Sequence, residues 1–174
     1  GGRYGVSLFS GAATTNTVTN HGTIKGTYAG VHTGGSADTN IITNSGTASL
    51  ISGGRYGIYI GARGDSITNQ GTIIGTGTSG IGIAFINGFG TPDTTIVNSG
   101  KIVGNGGTAI QLLSGNDLVQ VETGAVFGGT VDAGGGNDTL EFVTGNGGTL
   151  SNDFLNFETA TIDSGASWVL SGTS

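Results

Sequence analysis

One seven-residue pattern, apolar-x-Asn-x-Gly-x-apolar, returns along the chain at nearly constant spacing, and few folds accommodate that. It reads Val18-Thr19-Asn20-His21-Gly22-Thr23-Ile24, then Ile42-Thr43-Asn44-Ser45-Gly46-Thr47-Ala48, Ile67-Thr68-Asn69-Gln70-Gly71-Thr72-Ile73 and Ile96-Val97-Asn98-Ser99-Gly100-Lys101-Ile102. Glu122-Thr123-Gly124-Ala125-Val126 is a degenerate fifth copy, so the pattern glycines fall 24, 25, 29 and 24 residues apart. Self-similarity at such a period marks a stack of like units. Between the copies lie Gly5-Val6-Ser7-Leu8, Gly30-Val31-His32, Gly57-Ile58-Tyr59-Ile60, Gly82-Ile83-Ala84-Phe85 and Thr108-Ala109-Ile110-Gln111-Leu112, alternating as half-buried strands do.

Each unit therefore holds two or three short strands parted by Gly, Asn and Ser turns. Coiling such units sets every strand parallel to its counterpart one coil on, about 4.8 Å away. The expected fold is all-β, a right-handed parallel β-helix of about seven coils of 21–29 residues. It forms one segment over 1–174, with repeat coils to 150 and a terminal coil-like segment from 151. A four-blade propeller or an antiparallel sandwich is the rival, but neither readily explains one motif at near-constant spacing. Val18, Ile42, Ile67 and Ile96 should stack inward in one file, and Ile24, Ala48, Ile73 and Ile102 in another. Asn20, Asn44, Asn69 and Asn98 should form an amide ladder along a bend, with the glycine two positions later at φ > 0.

Composition removes other classes. Gly, Thr, Ser and Asn supply 92 of 174 residues, which excludes an ordinary helical domain. Leu, Ile, Val and Phe still supply 43, enough for a core. Five basic residues scattered along a chain of net charge −6 make no stripe for nucleic acid. No apolar run approaches the roughly 18 residues a membrane span needs. With no Met and Gly1-Gly2 at its start, the chain reads as an excised piece of a mature protein. No Cys is present for a disulfide framework or thiolate metal site.

Chemistry-bearing residues are few. His21 and His32 fall at different phases of the repeat and make no catalytic pair. No nucleophile elbow, Walker loop or His-Glu-x-x-His occurs. Gly75-Thr76-Gly77-Thr78-Ser79-Gly80 matches a dinucleotide fingerprint but lacks its βαβ context. Asp38, Asp65, Asp93, Asp117, Asp138 and Glu158 each precede a rung glycine by six to eight residues, placing them in one row of turns. Asp117 and Asp138 end the near-identical stretches Gly115-Asn116-Asp117 and Gly136-Asn137-Asp138, whose chemistry suits Asx turns to backbone N–H groups. A calcium site there is the alternative, although calcium rolls use tandem nine-residue copies and these lie 21 apart. No cofactor is expected.

The same row contains Arg63-Gly64-Asp65-Ser66, the tripeptide that integrins read on projecting loops, and the 29-residue spacing marks a protruding loop over 87–93 that carries Phe89. Arg63, Gly64, Asp65, Ser66 and Phe89 are the candidate binding patch, with an ordinary Gly-Asp turn as the rival reading. At net charge −6 the patch suits a protein partner better than an anionic polymer.

The Thr-Asn-x-Gly-Thr-Ile-x-Gly copies, the paired Gly-Asn-Asp stretches, Thr123-Gly124-Ala125-Val126-Phe127-Gly128-Gly129-Thr130-Val131, and the closing Asn156-Phe157-Glu158-Thr159-Ala160-Thr161-Ile162 and Gly165-Ala166-Ser167-Trp168-Val169-Leu170-Ser171-Gly172 resemble the passenger of a Gram-negative type V autotransporter. That resemblance covers nearly the whole chain. It implies a β-helix secreted through a C-terminal membrane barrel that lies outside this chain. It also implies a place on the bacterial surface, anchored to the outer membrane, and adhesion to a host-cell or matrix protein receptor or self-association between passengers. A spacer presenting a distal domain and a polysaccharide-degrading enzyme are the alternatives; the expectation is that the chain is not an enzyme.

Overall fold

The structure, a computed structural model, describes residues 1–9, 14–35, 39–61, 64–85, 93–143 and 145–171. Among them all regular structure is strand, and every strand pairing is parallel. The first coil runs β1 (Tyr4–Phe9), β2 (Thr15–Asn20) and β3 (Thr23–Gly26); the second β4 (Ala29–Gly34), β5 (Thr39–Asn44) and β6 (Leu50–Gly53). The third is β7 (Tyr56–Ile60), β8 (Ser66–Asn69) and β9 (Thr72–Gly75); the fourth is β10 (Ile81–Phe85), β11 (Thr95–Asn98) and the start of β12 (Lys101–Gln111). The fifth coil uses the end of β12, then β13 (Leu118–Val121) and the start of β14 (Val126–Asp132).

Beyond it the chain narrows through β15 (Thr139–Phe142), β16 (Asn146–Leu150), β17 (Phe154–Leu155), β18 (Thr159–Ile162) and β19 (Ser167–Leu170). The result is a parallel β-helix of five complete three-sided coils, fewer than the expected seven. Seven strands do stack on the second face, from β2 to β18. The third face loses its continuous ladder after β14, because β16 pairs only with β19.

Three inward files build the core. Val6, Val31, Ile58, Ile83, Ile110, Val131 and Phe154 are successive partners on the first face. On the second, Val18, Ile42, Ile67, Ile96, Val119 and Leu140 are in register, and the file matches the sequence expectation. The third file is Ile24, Ile51, Ile73, Ile102 and Phe127, which corrects the expected place of Ala48. Ala48 lies exposed in a loop of three extra residues, closed where Ser49 N–H and Oγ both donate to the Gly46 carbonyl, at 3.0 and 2.8 Å.

Only Gly46 and Gly124 of the five motif glycines take positive φ, 88° and 93°. At Gly71 and Gly100 glycine is required for another reason. A Cβ at Gly100 would collide with the carbonyl of Gly71 one coil below, and one at Gly71 with Ser49. Nothing in the structure explains glycine at position 22.

Candidate functional site

Two polar columns run along the second face. The first is the expected amide ladder: Asn20 Nδ2 donates to Asn44 Oδ1 at 2.8 Å, Asn44 Nδ2 to Asn69 Oδ1 at 2.9 Å, and Asn69 Nδ2 to Asn98 Oδ1 at 2.8 Å. Each amide also caps its bend; Asn20 Oδ1 accepts from Gly22 N–H, and its Nδ2 donates to the Leu50 carbonyl, both at 3.1 Å. The ladder stops where Val121 takes the next register position.

The second column stands two residues before each inward apolar, as Asn16, Asn40, Asp65, Thr94, Asp117 and Asp138, and ends at Glu158, two residues before the exposed Ala160. Asn16 Nδ2 donates to Asn40 Oδ1 at 3.1 Å, and Asn40 Nδ2 to Asp65 Oδ1 at 2.8 Å. Higher up, the N–H groups of Thr94, Asp117 and Asp138 donate to Asp117 Oδ1, Asp138 Oδ1 and Glu158 Oε2, at 2.6, 2.7 and 2.7 Å. These carboxylates cap backbone N–H groups of the adjacent coil rather than of their own turn. Asp93 is out of this row. It belongs to a parallel outer column in which Asn116 N–H donates to Asp93 Oδ1 and Asn137 N–H to Asn116 Oδ1. Asp38 lies outside the described residues.

Asp117 and Asp138 are buried, and each leaves its Oδ2 without a partner. Burial raises the Asp117 carboxyl to about 7, with the neighbouring Asp138 and Asp93 charges adding to the rise. Burial likewise raises Asp138, helped by Glu158 and Asp93. Among the described residues no three His, Cys, Asp or Glu side chains converge as a metal site requires, and calcium wants six to eight oxygens. Gly136 stacks so closely on Gly115 that a Cβ there would collide with the Gly115 carbonyl, which accounts for glycine at the head of the second Gly-Asn-Asp.

Within the candidate Arg-Gly-Asp patch, Asp65 is not presented as expected. Asp65 is 1% exposed, and it accepts from Asn40 N–H at 3.1 Å, Asn40 Nδ2 at 2.8 Å and Thr33 Oγ1 at 2.8 Å. Gly64 and Ser66 are half-buried. Arg63 and Phe89, with the loop over 86–92, lie outside the described residues.

A different surface emerges on the first face. Gly5, Gly30, Gly57 and Gly82 form an inward corner beside the valine-isoleucine file, so two outward positions flank each corner. They hold Tyr4, Tyr56, Tyr59 and His32, and Tyr28, one residue before Ala29 and in line with Arg3 and Arg55, brings in the last tyrosine of the chain. Tyr4 stacks on His32 at 4.5 Å between ring centroids, His32 on Tyr59 at 4.9 Å, and Tyr59 on Tyr56 at 5.2 Å. Tyr28 meets Tyr4, Tyr56 and Tyr59 edge-on. Tyr56 is itself buried, with Tyr4, Tyr28 and Tyr59 half-buried around it, in a second cluster separate from the interior core.

Arginine completes it. Arg3 lies over the Tyr28 ring at 4.8 Å, and Arg55 lies over Tyr56 at 5.5 Å while its Nε donates to Tyr56 Oη at 3.1 Å. Burial, and secondarily Arg3, hold His32 below the usual imidazole range, so it is neutral at pH 7 and shares a hydrogen bond with Ser7 Oγ at 3.1 Å. The signal for this face was in the sequence: Arg3-Tyr4-Gly5 recurs as Arg55-Tyr56-Gly57, with Tyr28-Ala29-Gly30 between them.

Comparison with known proteins returns nothing. No family model, curated protein or solved structure matches the chain.

Proposed function

We propose that this β-helix is a binding segment of a bacterial surface protein, a passenger of the autotransporter type, that works in adhesion or self-association without catalysing a reaction. The observation that supports the reading is the ridge of tyrosines on the first face, braced ring against ring, with Arg3 and Arg55 held outward at its border. Tyr and Arg supply much of the energy in recognition surfaces because they offer large contact area at low conformational cost. A repetitive scaffold in which each coil contacts only its neighbours suits such display, since one outward row changes without disturbing the stack. In this reading the chain is exported and held at the outer membrane by a part of the protein beyond this segment, and its partner is a host-cell or matrix receptor or another passenger.

The test coats latex beads with the chain and counts their attachment to host cells and to one another. Attachment or clumping above that of albumin-coated beads is expected. Beads that do neither would favour a spacer, and release of unsaturated product from pectin-like polymers would favour an enzyme.

A further inference from the structure

The net charge of −6 is unevenly spread. Residues 1–92 carry four of the five Lys and Arg but two of the eleven Asp and Glu, whereas residues 93–174 carry one and nine. Of the two acids in the first half, Asp65 is buried within its column. Each arginine of the tyrosine ridge is exposed, and among the described residues neither has a carboxylate partner. The expected unsuitability for anionic polymers therefore applies to the acidic half and not to this face.

The two guanidiniums are also spaced by the fold. Tyr28 N–H donates to the Arg3 carbonyl at 2.9 Å and Arg55 N–H to the Tyr28 carbonyl at 2.8 Å, which sets Arg3, Tyr28 and Arg55 on successive rungs. Two rungs span about 10 Å. Cation–π contact fixes one guanidinium and the Tyr56 hydroxyl fixes the other, so both forks are pre-organised for a carboxylate.

We infer that the Arg3–Tyr28–Arg55 column binds a carboxylate-bearing oligosaccharide, one uronate on each guanidinium, with the phenol hydroxyls of the ridge bonding sugar hydroxyls between them. This deepens the adhesion reading by naming its partner class, and it rests on that reading only for its biological use. Two rungs match the length of two linked pyranose rings, so a polymer with one carboxylate per disaccharide meets both arginines at once. A protein partner fits less well. The ring faces are turned on one another rather than outward, so the face offers a partner its two guanidiniums and its hydroxyls rather than open aromatic faces.

The test is titration calorimetry of the whole chain with three probes: a hyaluronan hexasaccharide, which has one carboxylate per disaccharide, neutral chitohexaose, and hexaglutamate. Binding of the first, at least tenfold tighter than either other, supports the inference. Equal binding of chitohexaose or hexaglutamate overturns it, as does no binding of hyaluronan. Arg3→Gln with Arg55→Gln should weaken binding at least tenfold with an unchanged melting curve, while Lys25→Gln with Lys101→Gln, the same change of charge elsewhere, should not. Equal loss in both pairs overturns the site. Run beside the bead assay, the two ideas separate: beads that adhere without hyaluronan binding refute the ligand and leave adhesion standing, and the converse refutes adhesion.

Discussion

The first four coils and the narrowing end follow one three-faced plan but secure their second-face bends with opposite chemistry. In the first four the bend carries Asn20, Asn44, Asn69 and Asn98; from the fifth the same register holds Val121, Phe142 and Ile162. There only the neighbouring column continues the polar stacking, and it has changed from Asn16 and Asn40 to Asp117, Asp138 and Glu158. A carboxamide both donates and accepts, so an amide ladder extends indefinitely with every group matched. An ionised carboxylate only accepts, so a carboxylate column must draw its donors from the backbone, and each step sets like charge on like charge. The amide ladder has nothing to titrate. The carboxylate column has.

Removing a ladder amide should have the largest effect. Asn69 also donates to the Gly71 and Lys101 carbonyls, at 3.2 Å each. Asn69→Ala strands those groups and both neighbouring amides, and at about 1–3 kcal/mol for each group left buried and unpaired the loss should reach about 3 kcal/mol or more in urea unfolding. A loss under about 1 kcal/mol would show the ladder to be incidental.

Asp65→Ala comes next, at about 2–3 kcal/mol, because it orphans Asn40 and Thr33. Weaker adhesion in that variant would therefore report damage to the fold rather than a lost receptor contact. An unaltered melting curve would contradict the buried position.

Smaller and of opposite sign is Asp117→Asn. The folded carboxyl, at about 7, binds its proton far more tightly than the unfolded one near 3.9. The folded state thus holds more protons between those values, so this group's contribution is best below pH 4, declines as pH rises to 7 and is level above. Asp117→Asn should melt above the parent at pH 8, and that advantage should shrink steadily as pH falls toward 4. A gap that is constant with pH would refute the assignment. Arg55→Gln, at an exposed side chain on the border of the ridge, should be nearly silent, within about 0.5 kcal/mol; a larger loss in thermal melts would make the ridge a structural brace first.

The second-face files and the amide ladder were legible because four copies keep one spacing between inward apolar and Asn. Ala48 was misplaced since Gly46-Thr47-Ala48 mimics the pattern while looping out. Leu50-Ile51-Ser52-Gly53, which echoes Thr23-Ile24-Lys25-Gly26, carried the true register. Asn16 and Asn40 were overlooked although each stands two residues before an inward apolar, as Asp65, Thr94, Asp117 and Asp138 do. The tyrosine ridge escaped notice because its rings meet across coils through a glycine corner, and strand alternation alone sends Tyr56 and Tyr59 to opposite faces. Burial of Asp65 was hidden for a similar reason. Its partners, Thr33 and Asn40, lie 32 and 25 residues away.

The contrast between the two columns is tested most directly by one NMR pH titration that follows the side-chain amide protons of Asn44 and Asn69 with the carboxyl carbons of Asp117 and Asp138. The expected result is slowly exchanging amides whose shifts hold steady from pH 4 to 8, an Asp117 midpoint at about 7, and an Asp138 midpoint above the ordinary carboxylate range. Aspartates that both titrate near 4, or ladder amides that exchange as freely as those of exposed side chains, would contradict it.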